Sequence, residues 1–135
     1  MALIQWNDSF RVNIVEIDHQ HQQLVGMINA MHQAMLQGTA RETMGRTISE
    51  LLSYASRHFA SEERLFDRYG YPEAPAHKLE HEAFVAKVSE FKSTLESRQL
   101  SLSISVMQYL YGWVVNHIKG SDQKYAPFLT SKGVK

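Results

Sequence analysis

The chain has 135 residues, with 14 Lys+Arg against 14 Asp+Glu, seven His and no Cys, so it carries no net formal charge. One domain with a sizeable core is expected at this length, and 44% hydrophobic with 21% charged residues is the make-up of an ordinary soluble globular protein. Neutrality argues against a nucleic-acid partner, and the lack of Cys excludes disulfides, thiolate nucleophiles, zinc ribbons, haem thioether attachment and ordinary iron–sulfur ligation, so any metal must be held by His and carboxylate.

The N-terminus, Met1-Ala2-Leu3-Ile4-Gln5-Trp6-Asn7-Asp8, has neither a basic start nor an apolar run of signal-peptide length. No stretch of about 18 apolar residues follows, so no membrane insertion is expected and the cytoplasm is the default location. Residues 1–17 read as an irregular arm before a single domain spanning 1–135. Breakers at Gly38-Thr39-Ala40, Gly70-Tyr71-Pro72-Glu73 and Arg98-Gln99-Leu100-Ser101 then separate four helices, about 18–37, 41–69, 74–96 and 102–121. A tail, 122–135, contains Pro127 and Gly133.

Within each helix the apolar positions step by three and four, and the same seam carries polar residues. The first helix reads Ile17, His21, Leu24, Ile28, Met31, Met35; the second reads Met44, Ile48, Leu51, Ala55, His58, Glu62, Leu65, Tyr69. The third reads His77, His81, Phe84, Val88, Phe91, Leu95, and the fourth Leu102, Val106, Leu110, Trp113, His117. Helices of this kind with short connections pack as an all-α, antiparallel up-down-up-down four-helix bundle. In that topology His21, His58, Glu62, His77, His81, His117 and Asp122 all fall at one end. A rise of about 1.5 Å per residue places them in a slab roughly 15 Å thick.

Five imidazoles and two carboxylates in one slab are costly to bury without partners, and a shared metal site is the economical solution. His58 with Glu62 and His77 with His81 are i, i+4 pairs on one helical face. His117 and Asp122 are i, i+5, which predicts a local widening or the helix end near Gly120. Five bonds from His, four from two bridging carboxylates and two from a bridging oxygen fill eleven of the twelve positions on an octahedral pair of metals. One position stays open for a small ligand, and an imidazole and carboxylate set suits iron or manganese.

The segments Asp18-His19-Gln20-His21, His58-Phe59-Ala60-Ser61-Glu62-Glu63, His77-Lys78-Leu79-Glu80-His81 and Trp113-Val114-Val115-Asn116-His117-Ile118 through Asp122 resemble the hemerythrin family, in particular its single-domain bacterial members. The resemblance runs from Trp6-Asn7-Asp8-Ser9-Phe10 to Lys124-Tyr125. It implies two non-haem iron ions, cycling between Fe2+ and Fe3+ with an oxo or hydroxo bridge, that bind dioxygen reversibly for storage, delivery or transport, and small anions such as azide in the ferric form. By position it gives His77, His81 and His117 to the filled iron, His21 and His58 to the iron with the vacancy, and the bridges to Glu62 and Asp122. Phe59 and Val114 would line the oxygen pocket with Trp113 packing nearby.

Several residues carry plainer expectations. His19 and His32 fall off the seams and read as surface. Glu63 and Glu80 read as solvent-facing acids, Asp18 as the cap of the first helix, Tyr54 as a packed aromatic and the Met residues as core filler. Two other functions stand behind oxygen binding. One is an oxygen- or redox-sensing domain, with Ser131-Lys132-Gly133-Val134-Lys135 as a junction to a longer chain. The other is a peroxide or nitric oxide scavenging enzyme, against which the single open position offers no separate substrate site. An oxygen-consuming partner protein has no sequence signature here.

Overall fold

The computed structural model describes residues 3–37, 40–96 and 102–135, with the side chains of 40–44, 95–96 and 102–103 outside that set. The breakers at Gly38-Thr39 and Arg98-Gln99-Leu100-Ser101, and the seam side chains of Met44, Leu95 and Leu102, therefore lie outside the described residues. Helices α1 (Val15–Leu36), α2 (Ala40–Tyr69), α3 (Ala74–Glu96) and α4 (Leu102–Asn116) form an all-α bundle in which α2 packs on α1 and α3, and α4 closes against both α1 and α3. No described residue is in a strand.

The seam residues do what their spacing requires. Ile28, Ile48, Leu51, Ala55, Val88, Val106 and Leu110 have no exposed surface. One step differs: after Glu62 the buried position is Phe66, not Leu65, so the seam advances by four there and Leu65 and Tyr69 sit half-buried at its edge. Gly70 ends α2 in a left-handed conformation (φ 70), which lets the Gly70 and Tyr71 amides both donate to the Phe66 carbonyl.

Two regions outside the four helices are more ordered than the sequence suggests. In the arm, a single 3-10 turn (Asp8–Phe10) and the buried side chains of Ile4, Phe10, Val12 and Ile14 pack against the bundle. Asn29 pins it by accepting from the Ile4 amide at 2.8 Å and donating to the Ile4 carbonyl at 2.9 Å. Asp18 is not the cap of α1, whose N-cap is Ile14 without a side-chain bond. Its carboxylate instead accepts from the amides of Val12 at 2.7 Å and Asn13 at 3.1 Å, holding the turn where Asn13 has φ 64.

The second region follows α4. The chain widens into a π turn (His117–Ser121) and continues as α5 (Asp122–Ser131), where the sequence suggested a tail. Pro127 removes only one helical donor, and the burial of Tyr125, Ala126 and Leu129 holds the segment in place.

Apolar residues thus form two clusters. The larger fills the bundle from Ile28 and Leu51 to Val114 and Ile118. The smaller joins Val12, Ile14 and Ile17 to Phe66, Tyr71, Ala74, Tyr125, Ala126 and Leu129. Along α1, His21 separates Ile17 of the small cluster from Leu24 of the large one, and the polar residues of the other helices occupy the same level.

Candidate metal centre

All seven polar seam residues are buried, with His21, Glu62 and Asp122 fully enclosed and none of the others more than 4% exposed. Each reaches the layer for a local reason. The i, i+4 spacing stacks His58 over Glu62 and His77 over His81. The π turn brings Asp122 under His117, its backbone amide donating to the His117 carbonyl five residues back. This is the widening that the i, i+5 spacing required.

The five imidazoles all present Nε2 to the two carboxylates. Glu62 Oε1 lies 3.1 Å from His81 Nε2 and 3.7 Å from His77 Nε2, while Oε2 lies 3.3 Å from His21 Nε2 and 3.4 Å from His58 Nε2. Asp122 divides in the same way, with Oδ1 3.0 Å from His77 and 3.1 Å from His117, and Oδ2 3.0 Å from His21. Donor atoms of Glu62, His77, His81 and His117 lie within 4.8 Å of one another, as do those of His21, His58 and Glu62. Two groups of rings therefore share two acids, one oxygen of each acid per group.

Close approach has not satisfied these atoms. His77, His81 and His117 Nε2, Glu62 Oε1 and both Asp122 oxygens are buried without a hydrogen-bond partner, as is His21 Nδ1. Each such group costs about 1–3 kcal/mol when left unpaired, and more when charged. Lone pairs converging from nitrogen and oxygen, with no sulfur, are the donor set for divalent or trivalent first-row cations. The residues present fit two such ions.

A second layer holds the rings from behind. His81 Nδ1 donates to Glu63 and His117 Nδ1 to Glu80, both at 2.8 Å, and His58 Nδ1 donates to Gln20 Oε1 at 2.6 Å. Ser121 steadies Glu80, and the Tyr125 hydroxyl donates to Glu62 Oε2. Because a carboxylate or amide oxygen only accepts, these bonds place the proton on Nδ1 and leave Nε2 free to face inward. Glu63 and Glu80 stay partly exposed, 31% and 44% of their side chains, as their off-seam positions suggested, but they also serve the rings. Their side chains turn back from the flank of the seam onto the rings.

Aromatic rings wall the centre. Phe59 stacks on His81 at 3.9 Å and 7°, Trp113 stacks on His117 at 4.2 Å and 13°, and Phe66 meets His77 edge-on at 4.9 Å. Phe59 also lies 5.8 Å from the His58 ring, and Val114 is buried in the large cluster. His19 is exposed, His32 is half-buried beside Leu3, Met35 and Met107, and Tyr54 packs half-buried on the large cluster.

The rings and acids of the layer also set one another's protonation. Burial works against charging His21 and His77, but Asp122 and Glu62 outweigh it and raise their pKa values to about 10 and about 9. His58 is lowered, chiefly by burial. Burial and the Glu62 charge push Asp122 up, yet His117 and His21 more than cancel them and hold it well below the usual carboxylate range.

Comparison with known proteins gives one family. A model of the hemerythrin HHE cation-binding domain matches residues 12–129. The chain is 37% identical to a bacteriohemerythrin of Stenotrophomonas maltophilia, across 93% of this chain and 81% of that one. It is 30% identical to a bacteriohemerythrin of Methylococcus capsulatus, across 97% of this chain and 100% of the relative. A hemerythrin-like protein of Naegleria gruberi is 32% identical across 89% and 88%. A solved wild-type hemerythrin superposes with a TM-score of 0.87 at 29% identity, covering 95% of this chain and 98% of its own.

Proposed function

The chain belongs to the hemerythrin family, and from that premise we propose that it binds dioxygen reversibly at a buried non-haem di-iron centre, for storage, delivery or transport. The observation that carries the reading is the division of Glu62 and Asp122, each giving one oxygen to either group of imidazoles. We assign His77, His81 and His117 to one iron, His21 and His58 to the other, and both acids to the pair. Two irons held by these residues would supply Fe2+/Fe3+ chemistry, with fewer protein nitrogens on the side of His21 and His58.

The protein's own part is to turn the ring Nε2 atoms inward, to hold the Nδ1 protons of His58, His81 and His117 on Gln20, Glu63 and Glu80, and to keep water out. Phe59, Trp113 and Val114 supply the dry walls on the bundle side, where a polar wall would admit water and protons. Small anions such as azide would bind at the same centre in the ferric form.

We read the protein as a binder and not an enzyme. The commitment of both fully buried carboxylates of the layer, Glu62 and Asp122, as acceptors shared between the rings supports this. A sensory module or a peroxide or nitric oxide scavenger is the less favoured alternative. Among the described residues no helix is long and apolar enough to cross a membrane, and we take the cytoplasm as the working location. Metal analysis with absorption spectra of the anaerobically reduced protein before and after air tests the reading. Two irons per chain and a spectrum that reverses on removing oxygen are expected. Zinc as the native metal, fewer than two irons, or turnover of peroxide or nitric oxide without a reversible oxygenated form would overturn it.

A further inference from the structure

The two imidazole groups differ behind the rings as well as in number. On the three-histidine side, the Nδ1 protons of His81 and His117 are held by carboxylates, Glu63 and Glu80. On the two-histidine side, His58 Nδ1 is held by the neutral amide of Gln20 and His21 Nδ1 has no partner. Among the described residues the one hydrogen bond donated to a shared acid from outside the layer, from Tyr125, falls on Glu62 Oε2, the oxygen facing that same side.

We propose that Glu63 and Glu80 are positioning residues that grade the centre, making the three-histidine position the tighter one for a divalent ion and leaving the two-histidine position the weaker and more exchangeable. The physical basis is polarisation. An imidazole whose N–H points at an anion gains electron density at its other nitrogen and becomes a better donor, whereas an amide oxygen gives less of this and an absent partner none. A phenol on Oε2 draws charge from the same oxygen that the two-histidine position must use. Both differences act in one direction, on top of the difference in ligand count.

The inference rests on the di-metal reading above, and its test separates the two. Metal-free protein is titrated with Co2+, which needs neither iron nor oxygen, and the two binding steps are resolved by absorption. Imidazole N–H resonances shifted by the paramagnetic ion show which position fills first. Glu63→Gln with Glu80→Gln keeps an acceptor on each ring and removes only the charge. Loss of about 10- to 100-fold in the first step is expected, with the second step changed by less than about threefold.

Gln20→Glu adds a charge behind His58 and should strengthen the second step alone by about 10-fold. If the double variant fails to fold, as judged by circular dichroism, the Gln20→Glu result decides. Equal weakening of both steps, no change in either, a first ion at the two-histidine position, or a Gln20→Glu protein with an unaltered second step would overturn the proposal. Wild-type protein that takes up fewer than two Co2+ would instead defeat the di-metal reading on which it stands.

Discussion

The large cluster and the small one bury the same kind of surface, yet they are built differently. The large cluster is assembled mainly from the four helices on their three-and-four spacing, with Ile4 and Phe10 of the arm and Ile118 of the π turn added. The small one is gathered from the arm, the start of α1, the end of α2 and the turn after it, the start of α3 and α5, and six of its nine buried residues, Val12, Ile14, Tyr71, Tyr125, Ala126 and Leu129, come from outside the four bundle helices and the π turn. Since the polar layer lies between them, the first cluster supports the fold and the second closes it over the site.

That division can be broken by two truncations. Leu110→Ala in the large cluster should cost about 2–5 kcal/mol, and Phe66→Ala in the small one about 3–5 kcal/mol, read by chemical denaturation of the metal-free proteins. Their consequences for the centre should part company. Phe66 touches His77 and Tyr125, so its loss should also hasten release of bound metal to a chelator, while Leu110→Ala should leave that rate near wild type. Equal release rates would mean that the small cluster is not a closure.

The layer between the clusters has its own signature in pH. Without metal, His21 and His77 have pKa values raised to about 10 and about 9 from an ordinary 6.5. A raised folded-state pKa gives stability that is fully present below about 6.5 and lost as pH rises through about 9 to 10. Metal-free protein should therefore lose stability over that window. At pH 7.5 metal uptake should expel at least two protons, making the apparent affinity rise about 100-fold per pH unit. Calorimetry in two buffers of different ionisation enthalpy measures the count; uptake without proton release would show that the layer is not proton-filled when empty.

The contrast between the clusters also explains what the sequence disclosed. Ile28, Leu51, Val88 and Leu110 were legible because helical period alone sets which face they share, and the i, i+5 spacing of His117 and Asp122 demanded the π turn. Phe66 was not, because steps of three and four both fit after Glu62, and the choice is made by Tyr71 in the turn that follows α2 and by Tyr125 in α5. Glu63 and Glu80 escaped for another reason. Periodicity fixes where a Cβ points, not where a carboxylate three bonds further on can turn. The arm's latch is likewise a long-range matter: Asp18 looks like a helix cap until the amides of Val12 and Asn13 are seen above it. Asp18→Ala should cost about 3 kcal/mol, at about 1.5 kcal/mol for each of two hydrogen bonds to a charged acceptor, and should loosen the small cluster without moving the large one. Hydrogen exchange at Val12 and Leu110 separates these outcomes.

The smallest change is expected where the large cluster meets the centre. Val114 is 3% exposed and belongs to that cluster, one helical step along from the Trp113 that covers His117. Val114→Leu adds one methylene to a filled region, so overpacking of about 1 kcal/mol is the expected cost. Its benefit should appear elsewhere. The longer side chain narrows the dry wall against water and anions, so conversion of the oxygenated protein to the ferric form should slow severalfold, followed by its absorption in air at constant pH. Azide uptake by the ferric protein should slow in parallel, because both depend on access to one position. An unchanged rate for either would show that access is set from the small cluster's side, where Phe66 and Tyr125 stand, and would reassign the wall that protects the centre.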